Sequence, residues 1–368
     1  MNIAAILAEN EVFSVKGGAN SRKAFEIFRR FSKEHKIVLF SGASGATTYD
    51  CPNLLHKKVL CGGLRKVCKY FYRYEIAFRL RNRFDVIYVF NRPEFMPALK
   101  KSNPAAKLAL HMGNDHLMEM EAGLGRRVVA ACDLIIATSQ YIRAGMLKKH
   151  PHAGGKIRVF HNGVNAEQFC PNHAAAEKKE GIILYVGRLC AGKGVHHVIA
   201  AVGPIFGKFP NARLKIVGSS WFGENVATEY VERLKALAAP AGARIEFAGY
   251  VPNDRVAEHY READIFVAPS VWNEGFCNAN LEAMASGLAV VSSNRGAIPE
   301  VVGDAGILID PENPHDLGVK LEYLLANPRV RRNLAEAARA RATTCFDWDR
   351  ISREIERTMM ELAGGGRA

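Results

Sequence analysis

The chain has 368 residues, 48% of them hydrophobic and 24% charged, with 50 Lys and Arg against 37 Asp and Glu for a formal net charge of +13. That length exceeds what one hydrophobic core usually serves, so two domains of roughly 150 to 200 residues are expected. The opening run Met1–Ala8 is cut short by Glu9 and Glu11 with no basic segment before it, which argues against a spanning segment or a leader, and eight scattered cysteines without a close pair argue against structural zinc or a disulfide framework.

Short apolar runs punctuate the whole chain. In the first half they are Ile3–Leu7, Ile37–Phe40, Val86–Phe90, Leu108–His111, Leu134–Ala137 and Ile157–Phe160; in the second they are Ile182–Val186, Leu214–Val217, Ile245–Phe247, Ile265–Ala268, Leu288–Val291 and Ile307–Ile309. Helical patterns separate them, so the fold class is α/β with two parallel sheets carrying helices on both faces.

After the first strand, Lys16-Gly17-Gly18-Ala19 precedes a helical run from Ser21 to Phe31. Glycines at a helix N-terminus let backbone amides approach an anion, and the helix dipole favours negative charge there. Such pairs more often make ordinary turns.

Positive charge is concentrated in the first half: residues 1–170 hold 27 Lys and Arg against 13 Asp and Glu. It is densest from Lys57 to Arg83, where basic residues interleave with Val67, Tyr70, Phe71, Tyr74, Ile76, Phe78 and Leu80. This pattern predicts a surface helix, either lying on anionic lipid headgroups or packing its aromatic side on its own domain. No nucleic-acid-binding signature accompanies the charge.

Asn91-Arg92-Pro93 and His111-Met-Gly-Asn-Asp115-His116 both follow strands, and ligands of open α/β sheets bind at the carboxyl ends of strands. A lone histidine at a strand end is nevertheless more often structural. Between the halves, His161–Pro171 and the charged stretch Ala174–Glu180 read as a linker, which sets a boundary near residue 172.

Gly187-Arg188-Leu-Cys-Ala-Gly-Lys193-Gly194 has the spacing of a Walker A loop, but Gly194 stands where that loop needs a hydroxyl for magnesium. A P-loop ATPase is therefore disfavoured. Further on, Gly218-Ser219 and Gly249-Tyr250-Val251-Pro-Asn253 each end a strand.

In Glu274-Gly275-Phe276-Cys277-Asn278-Ala-Asn-Leu-Glu282 the first glutamate falls on a turn after an apolar strand and the second within a helix. Paired acid and base for glycoside hydrolysis would have to flank one scissile bond. The placement better suits two carboxylates touching separate parts of one long ligand, such as a sugar nucleotide.

This segment, together with Tyr185–Arg188, Gly192–Gly194, Gly296–Glu300 and Phe346–Trp348, resembles the retaining GT-B glycosyltransferases of family 4, also called glycosyl transferases group 1, over nearly the whole chain. The family wording Glu-Gly-Phe-Gly departs here only at Cys277. The resemblance implies two Rossmann-like domains facing an interdomain cleft: an acceptor-binding domain over 1–171, a nucleotide-sugar-binding domain over 172–345, and a last helix in 346–368 returning to the first. It implies that Glu274 contacts the donor sugar, Glu282 the ribose, and Arg188 and Lys193 the diphosphate, where fixed cations meet charge as it develops. Gly17 and Gly18 would close over the diphosphate, with Gly187, Gly275, Phe276, Cys277 and Asn278 lining the same site. Tyr250 and Val251 would receive the base beside Gly218 and Ser219. On the acceptor side stand Asn91, Arg92, His111, Asp115 and His116. The family's His-Xaa-His-Asn-Asp carries a second histidine where this chain has Gly113.

The activity so implied is retaining transfer of a hexose from a nucleoside diphosphate sugar, UDP first and GDP next, to a hydroxyl acceptor in cell-surface glycan biosynthesis such as lipopolysaccharide or exopolysaccharide. No cofactor is expected, and no divalent metal, because Arg188 and Lys193 can supply the positive charge. The expected partners are the nucleotide sugar and a glycan or lipid-linked acceptor, with no nucleic acid. The expected location is the cytoplasm, with peripheral association at the inner face of the membrane. The alternatives are a GT-B sugar-nucleotide epimerase and a non-catalytic glycan-binding protein with a degraded site.

Overall fold

The computed structural model describes residues 1–14, 17–42, 49–59, 72, 75, 76, 79–81, 83–171, 181–221 and 225–364. It divides into two compact units: Met1–Asn162 with the C-terminal stretch from Trp348, and Gly163–Asp347.

In unit 1 the strands are β1 (Asn2–Ile6), β2 (Lys36–Gly42), β3 (Leu54–Val59), β4 (Val86–Phe90), β5 (Lys107–Met112), β6 (Leu134–Ala137) and β7 (Ile157–Val159). They form one parallel sheet in the order β3-β2-β1-β4-β5-β6-β7. Side chains of a strand point alternately to its two faces, so Ile87 and Val89 enter one core while Val86, Tyr88 and Phe90 enter the other. Both faces are buried, which is why β4 is apolar at every position instead of alternating with polar residues. The helix Trp348–Gly364 places Trp348, Ile351, Ile355 and Met359 in that second core. These positions recur every three to four residues and so form one stripe. Glu356 accepts the Ser32 amide at 2.7 Å, and Asp349 ion-pairs with Arg30, which fixes this helix to unit 1.

Strand β3 was not among the expected runs. It is exposed at Leu55 (57%), Lys57 and Lys58, on both of its faces, so it lacks the continuous apolar character of its neighbours, and Lys57 and Lys58 lie on this edge strand instead of a helix. Farther along, Tyr72, Glu75, Ile76 and Arg79 are helical. Tyr72, Ile76 and Leu80, four residues apart, are buried in the unit 1 core, and the Tyr72 hydroxyl donates to the Leu7 carbonyl at 3.0 Å. At these positions the apolar side packs on its own unit and is not offered to lipid. Residues 60–71, 73, 74, 77, 78 and 82, which carry the rest of the basic stretch, lie outside the described residues, as does Lys16.

Unit 2 contains β8 (Ile182–Val186), β9 (Arg213–Val217), β10 (Ile245–Gly249), β11 (Ile265–Ala268), β12 (Ala289–Ser293) and β13 (Ile307–Ile309), all parallel, in the order β10-β9-β8-β11-β12-β13. The unit begins at Gly163, earlier than the boundary expected near residue 172. The cause is local: the Val164 amide donates to the Phe346 carbonyl at 2.8 Å, Phe169 packs edge-on to Tyr260, and the Arg339 guanidinium donates to the Phe169 carbonyl at 2.6 Å.

Each sheet has one place where the strand order reverses, between β1 and β4 in unit 1 and between β8 and β11 in unit 2. Loops leaving the carboxyl ends of such strand pairs diverge, leaving a crevice for ligands.

Candidate functional site

The unit 2 switch point gathers the residues with the strongest chemistry. The loop after β8 carries Arg188 and Lys193, and the loop after β11 carries Ser270, Trp272 and Glu274. Lys193 Nζ, Ser270 Oγ and Trp272 Nε1 all donate to Glu274 Oε1, at 2.6, 2.7 and 2.8 Å. One carboxylate oxygen is thus saturated, and among the described residues Oε2 accepts no hydrogen bond. Burial pushes the Glu274 carboxyl up, but the Lys193 ammonium and the hydrogen bonds outweigh it, so the group stays below the ordinary carboxylate range. Burial likewise pulls Lys193 down, yet the Glu274 charge beside it holds its pKa above the ordinary lysine value. Both groups remain ionised at neutral pH. The Trp272 indole, 41% exposed, lies under the Arg188 guanidinium at 5.5 Å and the Lys193 ammonium at 5.8 Å from its ring centre.

Glycine is required where these loops touch. At Gly218, φ is +139° and an added Cβ would lie 1.9 Å from the Gly187 carbonyl oxygen; at Gly296, φ is +58° and it would meet the Glu274 backbone. The Gly187 amide donates to Val217 and the Gly218 amide to Gly249, tying the ends of β8, β9 and β10 together. The Ser219 hydroxyl accepts the Val226 amide at 3.0 Å. Tyr250, half-buried like Val251, has its amide taken by the Asn225 side chain at 2.7 Å, so that amide already has a partner.

Cys277 stands left-handed at φ +62° as N-cap of the helix Asn278–Ala285. Glycine adopts this conformation without strain, which accounts for the family's preference and makes cysteine here a strained choice. Its thiol is pushed up to about 12 by burial and stays protonated. Phe276 anchors the loop edge-on against Phe346, joining two of the motifs seen in the sequence. Glu282, 8% exposed and one turn into the helix, accepts from the Tyr260 hydroxyl at 3.0 Å. Gly275 and Asn278 are half-buried in the same loop.

In unit 1, Gly17 and Gly18 lead into the helix Ala19–Phe28, which starts two residues earlier and ends three earlier than expected, with Gly18 as its N-cap. Asn91 follows β4 at φ +49°, a conformation asparagine tolerates, and its Oδ1 accepts the Gly113 amide at 2.7 Å. Arg92 is committed to Glu9 at 3.0 Å and to Asn10 at 3.1 Å. His111, buried at the end of β5, hydrogen-bonds Tyr88 through Nδ1 at 2.7 Å and stacks on Phe90. Burial, helped by the nearby Lys23 charge, holds this imidazole well below the ordinary histidine range and therefore neutral. The structure brings His111, Asn91 and Gly113 together; Asp115 and His116 instead lie exposed at the single helical turn His116–Glu119.

Sequence reasoning missed Ser270, Trp272 and Tyr260, each of which binds a glutamate that it did single out. Ser270 and Trp272 flank the signature by only a few residues and could have been found there; Tyr260, far away in sequence, could not. The chain's Asp-Xaa-Asp triplet, Asp347-Trp348-Asp349, has Asp349 engaged by Arg30, and no group of three or more His, Cys, Asp or Glu side chains among the described residues could hold a metal ion. No helix among them is long and apolar enough to cross a membrane.

Comparison with known proteins places this architecture. Residues 168–341 match the family described as Glycosyl transferases group 1, and residues 21–168 match Glycosyltransferase Family 4. Spore coat protein SA of Bacillus subtilis is 30% identical over 96% of this chain and 98% of its own length. Lipopolysaccharide 1,2-N-acetylglucosaminetransferase of Salmonella typhimurium is 27% identical over 75% of this chain and 72% of its own. Among solved structures, sucrose-phosphate synthase of Thermosynechococcus elongatus superposes with a TM-score of 0.83 at 19% identity, covering 99% of this chain and 100% of that one. Anabaena HepE in complex with UDP gives 0.79 at 19% identity over 98% and 100%. Two Rossmann-like units with parallel sheets and these neighbours define the GT-B fold. The chain belongs to the group 1, or family 4, glycosyltransferases.

Proposed function

We propose that the chain is a retaining hexosyltransferase that takes its donor, a UDP-sugar, on unit 2 and its hydroxyl acceptor on unit 1. The carrying observation is the Glu274 carboxylate, held ionised with Oε1 filled by three donors and Oε2 without a hydrogen bond among the described residues. In this reading Oε2 accepts from a donor-sugar hydroxyl, while Arg188 and Lys193 stabilise the diphosphate as it departs. Preorganised cations in a water-poor site cost no reorganisation when the charge develops, and each is commonly worth a few kcal/mol. Glu282, oriented by Tyr260, would accept from the ribose. UDP is preferred because HepE, of the same fold, was solved with UDP and with UDP-glucose.

His111 would serve at the acceptor side as a neutral hydrogen-bonding group. No divalent metal enters this reading, since Arg188 and Lys193 carry the charge that one would supply. A lipid-linked acceptor in cell-surface glycan assembly suits the positive excess of the first half, which would draw the cytoplasmic protein to an anionic membrane surface. Sedimentation with anionic but not neutral vesicles, weakening with salt, checks that part.

The donor is tested by thermal shift against UDP, GDP and ADP sugars. A ligand bound only by the folded state raises the melting temperature. A rise with UDP-sugars that vanishes in Lys193→Ala is the expected result; no rise with any of the three refutes the reading.

A further inference from the structure

A hydrogen-bonded chain at the unit 1 switch point joins three loops and ends in unspent polar atoms. Glu11 Oε1 accepts from Asn20 at 2.6 Å, Asn20 Oδ1 accepts from Asn91 at 2.9 Å, and Asn91 Oδ1 accepts from the Gly113 amide at 2.7 Å. Beside this chain two buried atoms, Glu11 Oε2 and His111 Nε2, have no hydrogen-bond partner among the described residues. Lys23, on the inner side of the helix Ala19–Phe28 and 5% exposed, forms no hydrogen bond or ion pair among the described residues. Its Nζ lies 3.1 Å from where a Cβ on Gly113 would stand, so the absence of a side chain at 113 gives this ammonium its room.

Buried polar groups are nearly always satisfied, and two unsatisfied atoms beside a lysine without a hydrogen bond among the described residues call for an explanation. Leaving Glu11 Oε2 and His111 Nε2 unpartnered costs stability, so a ligand that partners both and also accepts from Lys23 would recover it. We infer that Lys23, Glu11 and His111 form a saccharide-binding subsite in unit 1, which takes the hydroxyls of the sugar that accepts the transferred hexose. The chemistry selects the ligand class. As an ammonium Lys23 only donates, an ionised Glu11 only accepts, and His111 does one or the other by tautomer. A sugar hydroxyl both donates and accepts, so neighbouring hydroxyls on one ring can satisfy Lys23 and Glu11 together. A phosphate could meet Lys23 but would be repelled by Glu11. Lys23 falls to about 7 through burial, partly offset by Glu11, so near neutral pH it is readily converted between donor-only ammonium and neutral amine. The inference rests on the proposed transferase reading for the word acceptor, not for the binding itself.

Isothermal titration of the full chain with free hexoses, N-acetylhexosamines, disaccharides and inorganic phosphate, with UDP present, provides the test. Wild type and Lys193→Ala should bind at least one saccharide, whereas Lys23→Met and Glu11→Gln should weaken it tenfold or more while retaining UDP binding. Lys23→Met removes a buried charge and Glu11→Gln keeps the bond to Asn20 by amide rotation, so loss of folding is not expected in either, and melting curves check it. Absence of saccharide binding to the wild type, binding unchanged in both variants, or binding of phosphate in place of sugar at Lys23 overturns the inference. Failure of UDP to bind would instead count against the donor reading and leave this subsite standing as a glycan-binding one.

Discussion

At Glu274 three donors converge on one oxygen, and in the proposed function that asymmetry separates the side chain's two tasks: Oε1 holds the loop, and Oε2 is left for the donor sugar. Glu274→Gln would keep the size while losing the ion pair with Lys193. Turnover should fall by about 10² to 10³, the usual cost of a lost preorganised group, with UDP affinity changed far less. Steady-state kinetics alongside UDP titration resolves the two effects, and equal loss in both would contradict this division of labour. Lys23 makes a prediction about stability. Its pKa falls from 10.5 to about 7, largely by burial, opposed by Glu11 after β1, with His111 on β5 neutral nearby. Below about pH 7 both folded and unfolded chains carry the proton, and the fold bears the whole penalty, about 5 kcal/mol at most. Between there and the ordinary lysine pKa the unfolded chain binds more protons, so this destabilisation fades as pH rises. Lys23→Met should therefore stabilise the protein more at about pH 6 than at about pH 9, as denaturant melts of both proteins would show.

At the scale of strands and loops, legibility followed burial. Strand β4 announced itself because both its faces are covered, whereas β3, an edge strand with Leu55, Lys57 and Lys58 exposed, read as the start of a basic helix. The Glu274 and Lys193 motifs were legible because each is a local spacing, but the contact between them spans 81 residues and belongs to the sheet order alone. Lys23 was invisible for a related reason: a lysine in an amphipathic helix reads as surface, and only tertiary packing turns it inward. The crossing of the β8 and β9 loops depends on one backbone conformation that the sequence marks only as a glycine. Gly218→Ala would have to relieve both a left-handed φ and an overlap with the Gly187 carbonyl, so a loss of about 2 kcal/mol or more is expected. Thermal melts measure it; an unchanged melting temperature would mean that the two loops are not in contact as described.

Over the whole molecule, each unit builds its own sheet and core, and the chain's last helix belongs to the first of them. Ending the chain at Asp347 would strip Trp348, Ile351, Ile355 and Met359 from the unit 1 core, each commonly worth about 1.5 to 3 kcal/mol. Hydrogen exchange should then show unit 1 opened while unit 2 amides stay protected. The GT-B architecture and family membership were readable in advance because both reside in repeated strand–helix patterning and in motifs confined to short stretches. The cluster of Glu11, Lys23 and His111 was not, since only folding brings these side chains together. The most direct measurement of the central claim is UDP release from UDP-glucose in the presence of a saccharide pool, comparing wild type with Lys193→Ala. The account predicts release by the wild type, reduced at least a hundredfold in the variant while the variant still melts cooperatively as a folded protein. Equal release by both, or none by a wild type that binds UDP-glucose, would contradict it.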